Sequence, residues 1–285
     1  MLIFATLECI IIYMKIEVSH ESPISILNES TDYNDYGYAL VHLFETHPKY
    51  YKFFKDLREE SDIPVLLDNS IFELGKSFDS EKYVGWIGEL DPNWYIVPDV
   101  LEDAAETIHQ WKRFSAEYND VTDALRIGVV QGKTWNDLLK CYQYMSNEAD
   151  YIAISFDYSY YHSTGVDDTW ADRKLSRYCT GRQRFISQLI DEGYWNWNKP
   201  HHLLGCSLAK EFRYYVDQNI YNIKSCDTSN PVVAAIKGLA YNDDMGLYTK
   251  PKTKLADLID FDDFDDNKLR LLEYNTTMFK KIIKR

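Results

Sequence analysis

The chain is 285 residues long and 45% hydrophobic, enough to bury the core of one barrel or two small domains, which argues against a disordered protein. Acidic residues outnumber basic ones 45 to 31, and the formal net charge of -14 opposes attraction of a polyanion to the whole surface. A nucleic-acid site in this chain must therefore be a local basic patch.

The chain begins with an apolar run, MLIFATLECIIIY, at residues 1–13. This run is too short to span a bilayer and lacks the positive charge of a signal peptide, although a membrane or signal role stays open as the alternative. A polar, acidic stretch follows at once. We therefore expect that Met14 is the true start and that the leader is an upstream extension of the reading frame.

Apolar runs rich in β-forming residues then recur along the chain. They are KIEVSH (15–20), YALVHLF (38–44), IPVLLD (63–68), NWYIVPD (93–99), RIGVVQ (126–131), YIAISF (151–156), HHLLGC (201–206) and NIKSCD (222–227). Several are continuous Val, Ile and Leu segments, as expected of strands buried on both faces, and the spacers are mostly long enough for crossover helices. Eight such units predict an α/β fold, a (β/α)8 TIM barrel over residues 14–242.

Amphipathic patterns between the runs predict the helices. Helices are expected at 102–118, at 135–145 after an N-cap at Thr134, and at 208–219 after an N-cap at Ser207. An aromatic and basic insertion at 157–184 is predicted to emerge on the catalytic face as a lid or substrate platform. Residues 243–285 are predicted to form a small helical appendage packed on the barrel.

The ends of the predicted strands carry polar side chains that a barrel would bring to one face. They are His20, His42, Asp68, Asp99, Gln131, Ser155, Gly205 and Asp227. Three carboxylates at one mouth are costly unless they share protons, pair with cations or bind a polar ligand, which is the arrangement that acid/base and covalent chemistry needs. The alternative for each Asp is an N-cap of the next helix, and each histidine either touches a substrate phosphate or caps a loop.

Five motifs carry a resemblance to a known family. DNSIFELG (68–75), VPD (97–99), VVQG (129–132), LLGCS (203–207) and CDTSNP (226–231) resemble, in order and spacing, the tRNA-guanine transglycosylase family. That family is a TIM barrel that exchanges guanine for a 7-deazaguanine base through a covalent enzyme–nucleic acid intermediate. The short chain and the sequence around its second and third strands look closest to the phage-type DNA 7-deazaguanine transglycosylases.

The resemblance implies a role for each matching residue. Asp227 would attack C1′ of the target nucleotide, and Asp68 would protonate the leaving base and deprotonate the incoming one. Phe72 would stack on the base. The residues that would read its polar edge are Asp99 and Gln131, with Gly132, Ser155 and Gly205. Asn69-Ser70-Ile71 replaces the glycine pair of the family's DSGGF motif, so the shape of the pocket and the base it accepts are open.

The partners implied are DNA, or alternatively tRNA, and a free 7-deazaguanine base such as preQ0. The insertion offers aromatics at 158, 160, 161 and 170 for stacking. Phosphate contacts are predicted for Arg173, Lys174, Arg177 and Arg182, with Arg184 beside them. The alternative for this cluster is a tyrosine-rich loop that packs on itself.

We expect no cofactor and no metal. The family's tRNA enzymes carry a zinc site of three cysteines and a histidine, but no cysteine follows Cys226. The acidic run at 260–266 lacks the glycine and glutamate of a calcium loop, and His201 and His202 point to opposite faces of a strand. Five cysteines without a CxxC pair suit a reducing cytoplasm.

Three alternatives to a DNA transglycosylase stay open. They are a tRNA-guanine transglycosylase, a non-catalytic barrel that binds nucleic acid, and a hydrolase that uses the same carboxylates with water as the second nucleophile.

Overall fold

The computed structural model describes residues 15–118, 120–167, 172–206 and 208–284. The predicted leader at 1–13, the predicted start at Met14, the aromatic Trp170 and the predicted N-cap Ser207 lie outside the described residues. Within the described ranges no helix is both long and apolar enough to cross a membrane.

All eight predicted strands are confirmed. They are β1 Glu17–His20, β2 Gly37–Leu40, β3 Val65–Asp68, β4 Trp94–Ile96, β5 Leu125–Val130, β6 Tyr151–Ser155, β7 His201–Leu204 and β8 Ile223–Thr228. The second and fourth strands end earlier than predicted: β4 ends at Ile96, three residues before Asp99, and the chain leaves β2 after Leu40 and turns into a helix. His42 is therefore the first residue of that helix and does not end a strand.

The strands form one parallel sheet in the order β1-β8-β7-β6-β5-β4-β3-β2. Its two edges approach each other through Asp35, which precedes β2: the Asp35 backbone N–H donates to the Val18 carbonyl at 2.9 Å, and the Val18 N–H donates to Asp35 Oδ2 at 2.9 Å. The sheet is thus a nearly closed barrel of eight parallel strands alternating with helices, a (β/α)8 TIM barrel.

Helices cover the outside of the barrel. The described residues form α1 Leu27–Tyr33, α2 His42–Thr46, α3 Pro48–Glu60, α4 Ile71–Leu74, α5 Ser80–Leu90, α6 Ala104–Tyr118, α7 Trp135–Glu148, α8 Ser159–Thr164, α9 Arg173–Asp191, α10 Glu211–Asp217, α11 Asn230–Ile236 and α12 Asp266–Ile283, with short 3-10 turns at Ile24–Ile26 and Leu255–Leu258. Thr134 caps α7 as predicted, because its side chain accepts from the Asp137 N–H. The helix predicted at 208–219 is shorter and begins at Glu211.

The strands are buried on both faces, which is why their sequences are continuous rather than alternating. Their side chains and the inward stripes of the helices form one large hydrophobic core, and a smaller cluster packs between α11 and α12. The C-terminal helix packs on the barrel as predicted. Phe279, Ile282 and Ile283 of α12 are buried in the main core, so this helix closes the outer ring.

The described part of the insertion at 157–184 is mostly helical. Residue 159 begins α8, and the second half of the insertion is the first half of the long crossover helix α9. Tyr158 and Tyr161 are buried at 1% and 0% exposure, with their rings 5.1 Å apart. These two tyrosines therefore pack into the core, which corrects the expectation that they offer stacking surfaces to a ligand.

Candidate active site

A cavity of about 500 Å³ opens at the carboxyl ends of the strands. This volume is typical of a small-molecule site. Among the predicted site residues, those that line it are Asp68, Phe72, Asp99, Gln131, Ser155, Gly205, Asp227 and Lys174. Gly132 does not line it, because Gly132 packs against the first turn of α7, where an added Cβ would lie 2.7 Å from the Leu138 nitrogen.

Asp227, near the end of β8, is held through one oxygen. Its Oδ1 accepts from His202 Nε2 at 3.0 Å and from the Gly205 N–H at 3.1 Å. On the other side of the ring, His202 Nδ1 lies within hydrogen-bond distance of the Ser225 hydroxyl, at 2.8 Å. No hydrogen bond from the described residues reaches Oδ2. The carboxylate is thus fixed on one side and available on the other.

Asp68 ends β3 and is 7% exposed. Its Oδ2 accepts from the Tyr38 hydroxyl at 2.8 Å, and its Oδ1 accepts from the Ser70 N–H at 2.5 Å. Burial raises the pKa of Asp68 well above its ordinary value, and the nearby Glu73 carboxyl raises it further. Asp68 is therefore suited to carry a proton near neutral pH and to release it when a base needs one.

The backbone turns sharply after Asp68. Ser70 adopts a left-handed conformation with φ of 59°, which is uncommon for any residue but glycine. This turn brings the Ser70 N–H onto the Asp68 carboxylate and starts α4. The hydrogen bond from the Ser70 N–H to the Asp68 carboxylate holds this strained conformation in place.

Asp99 lies on the next strand connection, and each of its carboxylate oxygens accepts one hydrogen bond. Its Oδ1 accepts from Asn69 Nδ2 at 2.8 Å, and its Oδ2 accepts from Gln131 Nε2 at 2.6 Å. Gln131 Oε1 accepts from the Glu102 N–H, so one amide N–H of Gln131 remains for a ligand. Burial raises the pKa of Asp99 to about 6, and the two amide donors oppose that shift.

Four further carboxylates line the same cavity and escaped the sequence prediction: Glu21, Glu73, Asp157 and Asp172. Glu21 follows β1, and Glu73 lies in the first turn of α4. Burial raises the pKa of Glu21 well above its ordinary value, and Asp227 adds to this shift. Burial, with Asp227, raises the pKa of Glu73 to about 7. Each of these two glutamates stands within a few residues of a predicted strand end, but only the fold shows that both face Asp227.

The basic residues of the insertion divide into three groups. Arg182 is fully buried and forms a bidentate pair with Glu211, so it cannot contact a phosphate, which corrects that prediction. Arg177 pairs with Asp167 at 2.6 Å, and Arg184 donates to the Thr164 carbonyl. Arg173 begins α9 and is exposed, and Lys174 lines the cavity.

Arg182 instead supports the site from behind. Its guanidinium donates to the carbonyls of Ile154, Leu204 and Gly205 at 3.1 to 3.2 Å. The Gly205 N–H in turn donates to Asp227. Gly205 has φ of +65°, and a Cβ there would lie 2.4 Å from the Phe156 ring. The turn after β7 is thereby locked with its N–H on the carboxylate of Asp227.

The cavity mouth carries aromatic and cationic side chains. Phe72 is 42% exposed, and its ring lies 6.1 Å from that of Phe156. Three lysines of the segment before α12 reach this mouth. Lys250 lies over the Phe156 ring and Lys254 over the Phe72 ring. Lys252, from the same segment, also lines the cavity. The sequence prediction missed these lysines, because they lie far along the chain from every strand end.

The remaining predicted groups lie elsewhere. His20 is buried at the end of β1 and does not line the cavity; its Nδ1 donates to Asn34 Oδ1 at 3.1 Å, and its ring packs against Tyr33 and Phe279. His201 stacks on Trp195. The four described cysteines are free and buried. Among the residues that the structure describes, no group of three His, Cys, Asp or Glu is arranged to hold a metal ion.

Comparison with models of known protein families and with curated proteins gives no match to this chain. The cavity combines a fixed carboxylate with one available oxygen, a buried carboxyl whose pKa is raised, and a third carboxyl held by two amides. Such a set can support nucleophilic attack, proton transfer and recognition of a polar ring in one place.

Proposed function

We propose that this protein exchanges a guanine base in DNA for a free 7-deazaguanine base, through a covalent intermediate on Asp227. One observation carries the proposal: Asp227, whose Oδ2 accepts no hydrogen bond from the described residues, lines the same cavity as Asp68, whose pKa is raised, and the amide-held Asp99. The motifs that resemble tRNA-guanine transglycosylases supply the reaction type. The polymer and the identity of the deazapurine come from that resemblance.

In the first step Asp227 Oδ2 attacks C1′ of the target nucleotide. The bond between C1′ and N9 of guanine breaks, its electron pair goes to the base, and Asp68 supplies the proton that neutralises the leaving guanine. In the second step Asp68 takes the N9 proton of the incoming base, and N9 displaces the Asp227 carboxylate from C1′. Two displacements at one carbon give net retention, as in retaining glycosidases.

Asp99 and Gln131 are proposed to recognise the base. A carboxylate can accept from the N1–H and N2–H donors on the edge of guanine, and the remaining Gln131 N–H can donate to O6. Phe72 and Phe156 offer aromatic faces at the mouth. A base can enter such a cavity only after it leaves the helical stack, so the substrate is single-stranded or flipped DNA. Because the four described cysteines are buried free thiols, which suit a reducing compartment, we place the protein in the cytoplasm.

The test is incubation of the protein with a guanine-containing DNA and labelled preQ0, followed by nucleoside analysis. Wild type should incorporate label and give a covalent protein–DNA adduct. Asp227→Asn, which keeps the size of the side chain, should lower the exchange rate by at least about 10⁴-fold and give no adduct. Equal incorporation by the variant would refute the mechanism.

The same assay separates the other candidate functions. Release of free guanine without incorporation would indicate a hydrolase. Exchange into tRNA but not DNA would indicate the tRNA enzyme. Binding of nucleic acid with neither product would indicate a non-catalytic barrel.

A further inference from the structure

Four lysines border the cavity: Lys174, Lys250, Lys252 and Lys254. Three of them belong to one short segment, KPKTK at 250–254, which we call the lysine strap. None of the four ammonium groups forms an ion pair with any described residue. Pro251 restricts the backbone conformation of the strap.

Some lysines elsewhere pair with neighbouring acids, for example Lys52 with Asp56 at 2.7 Å and Lys82 with Glu45 at 2.8 Å, but the four at the cavity do not. Acidic residues are in excess over the whole chain, which carries a net charge of -14. Four ammonium groups without an ion pair to the described residues thus border one cavity, and an external anion is a suitable partner for them.

Aromatic contacts hold the strap over the mouth. The Lys250 ammonium lies 5.1 Å from the centre of the Phe156 ring, and the Lys254 ammonium lies 4.8 Å from that of Phe72. Both distances are within the range of a cation–π interaction. The two rings are themselves 6.1 Å apart, so cations flank the aromatic entrance at two points.

The carboxylates of the cavity limit where an anion can sit. Lys250 interacts electrostatically with Glu21, and Lys254 with Glu73. A phosphate beside these acids would be repelled, so it must stay on the solvent side of the ammonium groups. The cavity therefore admits an uncharged base, and the strap faces the charged backbone that carries it.

We propose that the lysine strap, together with Lys174, binds the DNA phosphates on either side of the nucleotide whose base enters the cavity. This inference rests on the proposed function for its choice of polymer. It assigns backbone binding to residues 250–254 and Lys174 rather than to the arginines of the insertion. The contacts are independent of sequence, because phosphates carry no base information.

The test measures binding of a fluorescent single-stranded DNA over a series of salt concentrations. The probe variant is the triple K174A/K252A/K254A, which changes only exposed side chains. The matched control is K140A/K224A/K237A, which removes the same charge from exposed positions that do not line the cavity. Circular dichroism and thermal melting of both variants establish that they fold.

The logarithm of the binding constant falls with the logarithm of salt by about 0.7 per phosphate contacted on a single strand. The strap variant lacks three of the proposed phosphate contacts, so its salt slope should be shallower by about 2 than that of the control variant. Its binding at low salt should be weaker by about tenfold or more. Equal slopes for the two variants would overturn the proposal.

The proposed function and this inference can fail separately. If wild type shows no base exchange but the slope falls in the strap variant alone, the function is wrong and the phosphate site stands. If wild type exchanges bases and the strap variant keeps the salt slope and the KM for DNA of the control, the function stands and the phosphate site is wrong.

Discussion

The rings of Tyr38 and His202 stack with centroids 6.3 Å apart and planes 17° from parallel, and each ring holds one carboxylate of the cavity. The Tyr38 hydroxyl donates to Asp68, and His202 Nε2 donates to Asp227. Tyr38 comes from β2 and His202 from β7. A pair of side chains across the barrel interior thus fixes the proposed nucleophile and the proposed proton carrier relative to each other.

Removal of the Tyr38 hydroxyl should change the acid/base behaviour of Asp68. Tyr38→Phe keeps the ring but takes away a donor that stabilises the ionised carboxylate, so the pKa of Asp68 should rise further. We expect the apparent pKa that reports Asp68 in the pH–rate profile to rise by about one pH unit. Single-turnover exchange measured from pH 5 to 9 checks this.

Tyr36→Phe is the control for that variant. The Tyr36 hydroxyl donates to the Cys226 carbonyl at 2.7 Å, so its removal costs a buried hydrogen bond without touching Asp68. The control should lose about 1 kcal/mol of unfolding free energy and keep the profile of wild type. A shift of the same size in both variants would mean that the Tyr38 contact has no specific effect on Asp68.

A methyl group at position 205 should disturb both stability and catalysis. Gly205→Ala forces alanine into a positive φ and places its Cβ against the Phe156 ring. We expect a loss of about 3 kcal/mol of unfolding free energy, from backbone strain plus overpacking, and a fall in kcat because the N–H that holds Asp227 moves. Urea denaturation and the exchange assay measure the two effects.

Gly75→Ala provides the matched comparison. Gly75 also has a positive φ, of +71°, but nothing lies within 4 Å of its added Cβ. This variant should lose only about 1 to 2 kcal/mol, the cost of the backbone conformation alone. If the two variants are equally destabilised, contact with Phe156 contributes nothing.

The buried pair of Arg182 and Glu211 should behave as a positioning unit. Arg182→Met or Glu211→Leu alone leaves one charge buried without its partner and should cost about 3 to 5 kcal/mol of unfolding free energy. The double variant should regain part of that loss. Urea denaturation of the four proteins gives the coupling energy, and additive losses would contradict a coupled pair.

Loss of the pair should also affect Asp227 through Gly205. In the double variant, where no charge is left unpaired, we expect kcat to fall about tenfold or more while KM for DNA stays near that of wild type. An unchanged kcat in a folded double variant would show that the pair has a structural role only.

Glu73 should make the stability depend on pH. Its pKa is raised to about 7 in the fold from the ordinary 4.5, so the folded chain holds a proton that the unfolded chain releases between these values. Stability from this group is complete below pH 4.5 and is lost as the pH rises to 7. Glu73→Gln should therefore match wild type at low pH and exceed it at pH 8.

The expected gain at pH 8 is about 2 kcal/mol, less than the full conversion of the shift because the side chain is partly exposed. Urea denaturation of both proteins at pH 4.5, 6 and 8 measures it, and the lowest pH serves as the internal reference. A constant difference between the two proteins over this range would refute the prediction.

Much of the fold was readable from the sequence. Continuous apolar runs such as IPVLLD mark strands buried on both faces, and their number and spacing predict the barrel. Because the carboxyl ends of parallel strands meet at one face, the residues after those runs identify Asp68, Asp99 and Asp227 as neighbours. His42 was misplaced because an apolar run alone does not show where a strand ends and a helix begins.

Only the tertiary structure decided what surrounds these carboxylates. A basic residue in a polar insertion has no sequence signal for burial, so Arg182 could not be separated from exposed neighbours until the helix that carries it packed on Glu211. Tyr38 and His202 meet because barrel closure brings β2 and β7 to a common interior, and the lysine strap reaches the mouth from residues 250–254. Local pattern specifies which segments are buried, whereas contacts between distant segments depend on how the closed barrel arranges them in space.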